Sequence, residues 1–249
     1  MTLLLHEIRT QLRLYGRSRE LAFFTFLLPL ILFVLLGSVY GHDRIEGIRG
    51  SNYLEAGMLG YGVVSVAFAG LAIFMVIRRE SGILKRVRAT PLPAWAYVTA
   101  VLVATLASFA LNAAALIVLG RALFSVPFPD RWLSLVLTLL LGALAFAAMG
   151  LGLTVVVRSA EGSSAAVNAI YLPMSFISGA FFSPHSFPSF LRAIADVLPL
   201  TYFIRLVRDV MLHGQELWDR PGDIAVVAAW GVVGAIVALT RFRWAPAEG

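Results

Sequence analysis

The basic side chains of the sequence are most concentrated in residues 78–97, where five basic residues accompany a single acid, Glu80. Lysine and arginine accumulate in the cytoplasmic loops of membrane proteins, and long apolar runs flank this segment on both sides. We therefore interpret residues 78–97 as a cytoplasmic loop on which another protein can act. The alternative is a solvated linker, which is the usual role of such a segment in a soluble protein.

A short helix is predicted over residues 80–87 of this loop, because its apolar positions share one face at helical spacing. These positions are Ile83, Leu84 and Val87. Two residue–proline pairs follow, and the residue before a proline is disfavoured in the helical conformation. The prolines Pro91 and Pro93 therefore end the helix. The loop is predicted to present a rigid, amphipathic helix at the membrane surface.

Catalytic and energy-coupling patterns are absent from the sequence. It has no cysteine, no H-E-x-x-H and no G-x-S-x-G, so we expect no metal site and no nucleophile of those kinds. Its one lysine, Lys85, follows a leucine where a nucleotide-binding phosphate loop requires glycine. No Asp or Glu falls at the middle of a predicted span, which argues against a proton- or sodium-coupled carrier. We expect energy to arrive from a separate subunit through the loop, and no cofactor in this chain.

The composition is that of a membrane protein. Of 249 residues, 59% are hydrophobic and 14% are charged, whereas soluble domains have about 45–50% and about 25%. Spans and short loops use nearly all of this length, so residues 1–249 are predicted to form one membrane domain. The net charge of +6 comes from basic residues at span ends, so we expect membrane lipids and no nucleic acid as contacts.

Six apolar stretches have the length of about 20 residues that crosses a bilayer core. These predicted spans are residues 21–40, 57–77, 98–119, 132–157, 165–182 and 224–240. Residues 1–20 are predicted to form an interfacial helix, and a simple lead-in to the first span is the alternative. Residues 41–56 are predicted to be a polar loop. Residues 183–223 are predicted to be an extracytoplasmic loop in which two short amphipathic helices, separated at Pro199, dip toward the membrane.

The charge distribution predicts the orientation. With six spans both termini lie on one side, which then carries 12 basic and 5 acidic residues, against 8 and 9 on the other side. The more positive side is cytoplasmic. Aromatic residues near the predicted interfaces are expected to form a belt: Tyr40, Tyr53, Trp95, Tyr97, Trp132 and Trp244. We therefore expect a multi-pass protein of a bacterial plasma membrane with cytoplasmic termini.

Two motifs resemble those of the type-2 ATP-binding-cassette transporter permeases, the membrane subunits of bacterial drug, antibiotic and polysaccharide exporters. The first is the coupling-loop pattern of Glu80, Gly82, Lys85, Arg86, Thr90 and Pro91. The second lies in residues 178–214 and consists of Ser178, Gly179, Pro188, Pro199, Arg208 and Gly214. The resemblance extends over nearly the whole chain.

The resemblance implies an all-α polytopic protein that works as a dimer with an identical copy and with two cytoplasmic ATPase subunits, which hold ATP and magnesium. It implies that the ATPase subunits contact Glu80, Gly82, Ile83, Leu84, Lys85, Arg86, Arg88, Thr90 and Pro91. The first, second and fifth spans are then nearest the dimer axis. Amphipathic drugs, lipids or lipid-linked molecules are the expected substrates, and they are expected to move outward.

Several residues have two interpretations. Six side chains are candidates for lining a substrate pathway, and packing between helices or lipid contact is the alternative: Phe26, Tyr61, Ser65, Asn168, Met174 and Phe176. Asn112 is either another pathway residue or a hydrogen-bonding partner of a neighbouring helix. Glu80 either pairs with an ATPase arginine or is an N-terminal acid of its own short helix. Arg205 and Arg208 either bind anionic headgroups or extend to the outer interface.

Two other functions remain open on the sequence. A self-sufficient carrier or channel would transport without an ATPase and would depend on an ion gradient. A non-transporting membrane scaffold or sensor partner would neither transport nor stimulate an ATPase.

Overall fold

The computed structural model of the protein describes residues 2–17, 26–90, 92–157 and 159–242. These residues form the helices α1 (Thr2–Arg17), α2 (Leu28–Tyr40), α3 (Gly50–Glu80), α4 (Ile83–Arg88), α5 (Ala94–Phe124), α6 (Trp132–Leu153), α7 (Ala160–Ile177), α8 (Ser189–Ala195), α9 (Pro199–Leu212) and α10 (Pro221–Arg241). Two short antiparallel strands, β1 (Arg44–Ile45) and β2 (Ile48–Arg49), form a hairpin before α3. Apart from this hairpin, the all-α prediction is confirmed.

Four helices of the described residues are long and apolar enough to cross a membrane: α3, α5, α6 and α10. Two further helices match predicted spans but are shorter, because the described part of α2 has 13 residues and α7 has 18. The chain is therefore a polytopic membrane protein. The helix α1 packs against α5.

Helix α3 is the central element of the fold. It runs for 31 residues, and 89% of its most apolar stretch is buried, against 28% for α10. It is surrounded by α2, α5, α6, α7 and α9. Within it, Val64–Gly70 has the wider π-helical winding, a local irregularity that is frequent at functional positions. Any displacement of α3 must therefore displace several neighbouring helices.

Small residues let the neighbours approach α3 closely. A Cβ atom at Gly57 would lie 2.1 Å from the carbonyl oxygen of Ala180, which is main chain that follows α7. At Gly60, a Cβ atom would lie 2.4 Å from the side chain of Ile204 in α9. Glycine at helix interfaces permits this spacing in membrane proteins, where packing and hydrogen bonds drive association.

The predicted polar loop at residues 41–56 is wrong in its second half, because α3 begins at Gly50. The hairpin reverses the chain within two residues, Glu46 and Gly47, which have φ values of +53° and +80°. The polar residues that follow predict a solvent-exposed loop, but Ser51 and Glu55 are buried. Polar side chains inside a membrane protein usually face the bundle interior, so local hydropathy did not reveal this part of the helix.

Glu55 is an acid inside the helix bundle that the predicted polar loop did not reveal. Its side chain is 1% exposed, and its carboxyl group lies over Gly120 of α5, where a Cβ atom would be 2.7 Å from it. One carboxyl oxygen has no hydrogen-bond partner among the described residues. Glu55 lies near one end of α3 rather than at its middle, yet it is an ionisable group inside the helix bundle.

The segment after the fifth predicted span agrees closely with the sequence. The amphipathic pattern predicted two helices separated at Pro199, and α8 and α9 meet this description. The span before them is displaced from the predicted residues 165–182, because α7 ends at Ile177 and Gly179 turns the chain at a φ of +89°.

We predict that Gly57→Ala destabilises the protein. The new methyl group meets a main-chain oxygen that cannot rotate away, and overpacking of this kind typically costs about 1–3 kcal/mol of unfolding free energy. The measurement is the thermal unfolding midpoint in a mild detergent. Gly222→Ala is the matched control, because nothing lies within 4 Å of a Cβ atom there and alanine favours a helix. Equal midpoints for the two variants would contradict this packing.

Candidate functional site

The candidate site is the C-terminal end of α3, where Arg79 joins this helix to α6. Arg79 is 5% exposed, and it donates hydrogen bonds to the carbonyl oxygens of Thr154, at 2.6 Å, and Val157, at 2.5 Å. Carbonyl groups at the C-terminal end of a helix lack helical partners and carry partial negative charge. The guanidinium therefore satisfies the end of α6 and fixes it to α3.

Arg78 forms a second connection, from α3 to α5. One of its nitrogens donates to the hydroxyl oxygen of Tyr97 at 2.5 Å, and its guanidinium lies 4.1 Å from the centre of the Phe74 ring. A guanidinium over an aromatic face is attracted by the electron density of the ring. The sequence places both arginines in the loop and Tyr97 in an interfacial belt. In the structure both arginines belong to α3, and all three side chains are buried.

Glu80 forms a third connection, from α3 to α7. Its carboxylate accepts a hydrogen bond from the main-chain N–H of Ala160, the first residue of α7. The first N–H groups of a helix have no helical acceptor, and its positive dipole end favours a carboxylate. Glu80 is the last residue of α3, so the interpretation that it begins its own short helix is wrong. Pairing with an ATPase arginine stays a prediction.

Helix α4 projects from this junction and is displaced from the predicted residues 80–87. Gly82, in the left-handed region at a φ of +71°, ends the continuity with α3, and α4 then begins at Ile83. Leu84 is fully buried and anchors α4 on the core. Four side chains of α4 are exposed: Ile83, Lys85, Arg86 and Arg88. The predicted apolar face is therefore confirmed for Leu84 but not for Ile83.

The end of the loop is ordered by Thr90, whose hydroxyl donates to the carbonyl oxygen of Val87 at 2.6 Å. Pro91 lies outside the described residues. The described loop thus has a basic, exposed surface on α4. Directly beneath it lie two buried connections, through Arg78 and Arg79, and one exposed connection, through Glu80.

The opposite end of α3 has a buried contact that the sequence did not reveal. The guanidinium carbon of Arg208, in α9, lies 3.6 Å from the centre of the Tyr53 ring in α3. The same side chain donates to the carbonyl oxygen of Gly179 at 2.5 Å. Arg208 therefore joins α3, α9 and the chain after α7, and neither of the two predicted roles for it describes this contact. Tyr53 is fully buried and is not an interfacial belt residue.

The other residues of the motif in residues 178–214 shape the chain around this contact. Pro188 precedes α8, Pro199 begins α9, and Gly214 ends α9 with a φ of +62°. Ser178 is buried beside Gly179. The predicted motif therefore determines where the helices start and stop, which accounts for its spacing.

The candidate pathway residues divide into two groups. Tyr61, Ser65 and Met174 are buried within the protein, and the hydroxyl of Tyr61 lies 3.0 Å from that of Tyr171, which links α3 to α7. Phe176 is 49% exposed on α7, Asn168 donates to Ser164 on the same helix at 3.3 Å, and Phe26 is half-buried. The structure thus brings the six residues together at no single open cavity among the described residues.

Asn112 has the role of a hydrogen-bonding partner of a neighbouring helix. Its amide nitrogen donates to the carbonyl oxygen of Phe26 at 3.0 Å. This contact joins α5 to the chain that leads into α2.

Helix α7 has one packed and one open face. Its packed face is made of Ser163, Val167, Tyr171, Met174 and Ser175. The open face carries Ser164, Ala165, Ala166, Ala169, Ile170, Leu172, Pro173 and Phe176. Small and apolar residues thus cover a surface of α7 that no described residue covers.

Comparison with known proteins gives consistent similarities over most of the chain. Residues 2–212 match the family model described as ABC-2 type transporter. The inner membrane transport permease YadH of Escherichia coli (strain K12) is 24% identical over 219 residues, which cover 86% of this chain and 82% of YadH. Nodulation protein J of Rhizobium leguminosarum bv. viciae is 32% identical over 116 residues, which cover 45% of this chain and 44% of that protein.

We predict that Arg79→Met destabilises the protein, because it leaves two helix-end carbonyl groups without their charged donor. A buried hydrogen bond to a charged group contributes about 1.5–3 kcal/mol, so the thermal unfolding midpoint in detergent should fall by several degrees. Arg86→Met is the matched control, since it removes the same charge from an exposed position on α4. If both variants unfold at the same temperature, Arg79 does not fix α3 to α6.

Proposed function

Since the chain belongs to the ABC-2 type transporter family, we propose that it is the membrane subunit of an exporter driven by separate cytoplasmic ATP-binding-cassette subunits, which hold ATP and magnesium. The observation that carries the proposal is the junction beneath α4. An exposed basic helix is anchored by Leu84 directly at the end of the central helix α3. A partner that moves α4 therefore acts on the membrane helices themselves.

Three contacts, of which two are buried, distribute such a movement. Arg79 passes it to α6, Arg78 to α5 and Glu80 to α7. The contacts of Arg79 and Arg78 are short and shielded from water, where electrostatic interactions are strongest, whereas the contact of Glu80 is exposed. At the far end of α3 the contact between Tyr53 and Arg208 receives the movement and passes it to α9 and to the chain after α7. The ATPase thus opens and closes the extracytoplasmic end without binding there.

The proposed arrangement has six spans, with α2 and α7 as the first and fifth, and both termini in the cytoplasm of a bacterium. The excess of basic residues on the side of α4 supports it. A single cysteine is a clean probe, because the sequence has none. Ser186→Cys should react with an impermeant maleimide on intact cells, and Ser81→Cys only after permeabilisation. The reverse pattern would overturn this orientation.

The proposed dimer axis runs along the open face of α7, which small residues make suitable for close helix packing. Amphipathic drugs, lipids or lipid-linked molecules are the proposed substrates, and they would move outward along this face. Tyr61 and Ser65 lie on α3, which is buried within one protomer. They therefore reach a substrate only when the contact between Tyr61 and Tyr171 opens.

A self-sufficient, ion-coupled carrier is the second candidate, and Glu55 is the observation that favours it. A buried carboxyl inside a membrane bundle is a frequent mark of proton relays. Transport into proteoliposomes that contain only this chain, driven by a pH or sodium gradient and abolished in Glu55→Gln, would support the carrier. Transport that requires ATP and a second subunit would exclude it.

We predict that the purified chain retains a nucleotide-binding subunit in mild detergent and that the complex hydrolyses ATP. The double variant Arg86→Glu/Arg88→Glu should weaken the affinity for this subunit at least about tenfold, because like-charge contacts across an interface are strongly unfavourable. Arg192→Glu, exposed on α8 at the other end of the protein, should not change it. The measurement is the ATPase-to-permease ratio after purification, together with the thermal unfolding midpoint of each variant.

Two results would contradict the proposal. If the chain emerges alone as a stable oligomer and no nucleotide-binding subunit accompanies it, the exporter function is wrong. If the subunit binds equally well to the double variant, the exporter function is not contradicted, but the ATPase subunit does not bind at α4.

A further inference from the structure

The hairpin between α2 and α3 holds two arginines in a fixed arrangement. Both residues of its turn, Glu46 and Gly47, have positive φ values, which is the geometry that matches the twist of a tight hairpin. At its base the N–H of Gly50 donates to the carbonyl oxygen of Asp43 at 2.8 Å. The hairpin is therefore a rigid extension of the N-terminal end of α3 and not a loose loop.

Arg44 and Arg49 are paired directly across the two strands, so their side chains project from the same face of the hairpin. Like charges in this position destabilise a pair of strands. Both side chains are exposed, and within the described part of the chain neither takes part in an ion pair. The acid of the turn, Glu46, is engaged elsewhere, with Ser183 and His185. The arrangement costs stability unless an anion lies between the two guanidinium groups.

A concave pocket lies on this face. It has a volume of about 350 Å³ and is lined by His42, Arg44, Gly47 and Arg49, and we name it the hairpin pocket. Two planar guanidinium groups offer several N–H donors in the geometry that matches phosphate oxygens. The volume lies within the range of small-ligand sites. The pocket thus combines uncompensated positive charge, suitable donors and enough space for a phosphate group with its substituents.

We propose that the hairpin pocket binds the phosphate group of an anionic lipid headgroup. The hairpin connects the end of α2 to the start of α3, so it lies where membrane helices end and where headgroups are found. On its other face, Ile45 and Ile48 are half-buried, so the arginine face is turned away from the protein. This site goes beyond the proposed transport function and requires no ATPase subunit.

The hairpin pocket is connected to the rest of the protein through a hydrogen bond of Glu46. The carboxylate of Glu46 accepts a hydrogen bond from Ser183, and Ser183 lies in the chain after α7 that Arg208 also holds. A headgroup bound in the hairpin pocket is therefore connected, through Glu46 and Ser183, to the contact between Tyr53 and Arg208.

The test is a calorimetric titration of the purified chain, in an uncharged maltoside detergent, with soluble dihexanoyl-phosphatidylglycerol. The parent should bind it saturably, and Arg44→Gln/Arg49→Gln should weaken the affinity at least about tenfold, the loss expected for one charge-assisted hydrogen bond. The matched control is Arg121→Gln/Arg192→Gln, which also removes two exposed arginines and should change the affinity less than twofold. Dihexanoyl-phosphatidylcholine, which has no net charge, should bind at least tenfold more weakly.

Two further measurements distinguish a lipid site from a free-phosphate site and from no site. Inorganic phosphate that binds as tightly as the anionic lipid would overturn the lipid assignment and leave a free-phosphate site. An affinity that falls equally in the control pair, or no saturable binding to the parent, would overturn the site itself. Should Arg44→Gln/Arg49→Gln fail to fold, Arg49→Lys keeps the charge but loses the planar fork, and it should still weaken binding severalfold.

Discussion

The hydrogen bonds from Arg79 to the end of α6 are the interaction on which the rest of the structure depends. A guanidinium that is buried without partners costs several kcal/mol, so its position is determined by the two carbonyl oxygens that receive it. Because those oxygens belong to the chain just after the last residue of α6, Leu153, the same contact joins the end of α6 to the end of α3. Arg78 and Glu80, on either side in the sequence, extend the connection to α5 and α7. Three consecutive residues thus join four helices at the C-terminal end of α3.

Helix α3 is suited to transmit a movement of that junction, because it is buried along nearly its whole length. Its close approach to Ala180 and Ile204 leaves little room for independent motion, and Arg208 holds its other end against Tyr53. The central contact between Tyr61 and Tyr171 lies between these two ends. The family to which the chain belongs performs transport, and a buried helix fixed at both ends is a suitable element for linking a cytoplasmic event to an extracytoplasmic one.

The sequence was informative where one residue type decides local structure. Prolines and helical periodicity predicted α8 and α9 closely, and apolar runs predicted most of the membrane helices. The sequence failed at positions that tertiary contacts decide. Nothing in residues 50–56 shows that Glu55 lies over Gly120 or that Tyr53 lies beneath Arg208, so their polarity indicated a loop. A count of charges likewise could not show that Arg79 is buried and bonded to carbonyl groups whereas Arg86 is exposed to solvent.

The central claim is that ATP-driven movement of α4 reaches the extracytoplasmic end through its anchorage on α3. It is tested most directly by the rate at which maleimide labels Ser186→Cys in the complex with the ATPase subunit, with and without ATP. The account predicts that ATP changes this rate and that Leu84→Ala, which removes the buried anchor of α4, abolishes the change while the ATPase subunit stays bound. A rate that ATP leaves unaltered, or a change that persists in Leu84→Ala, would contradict it.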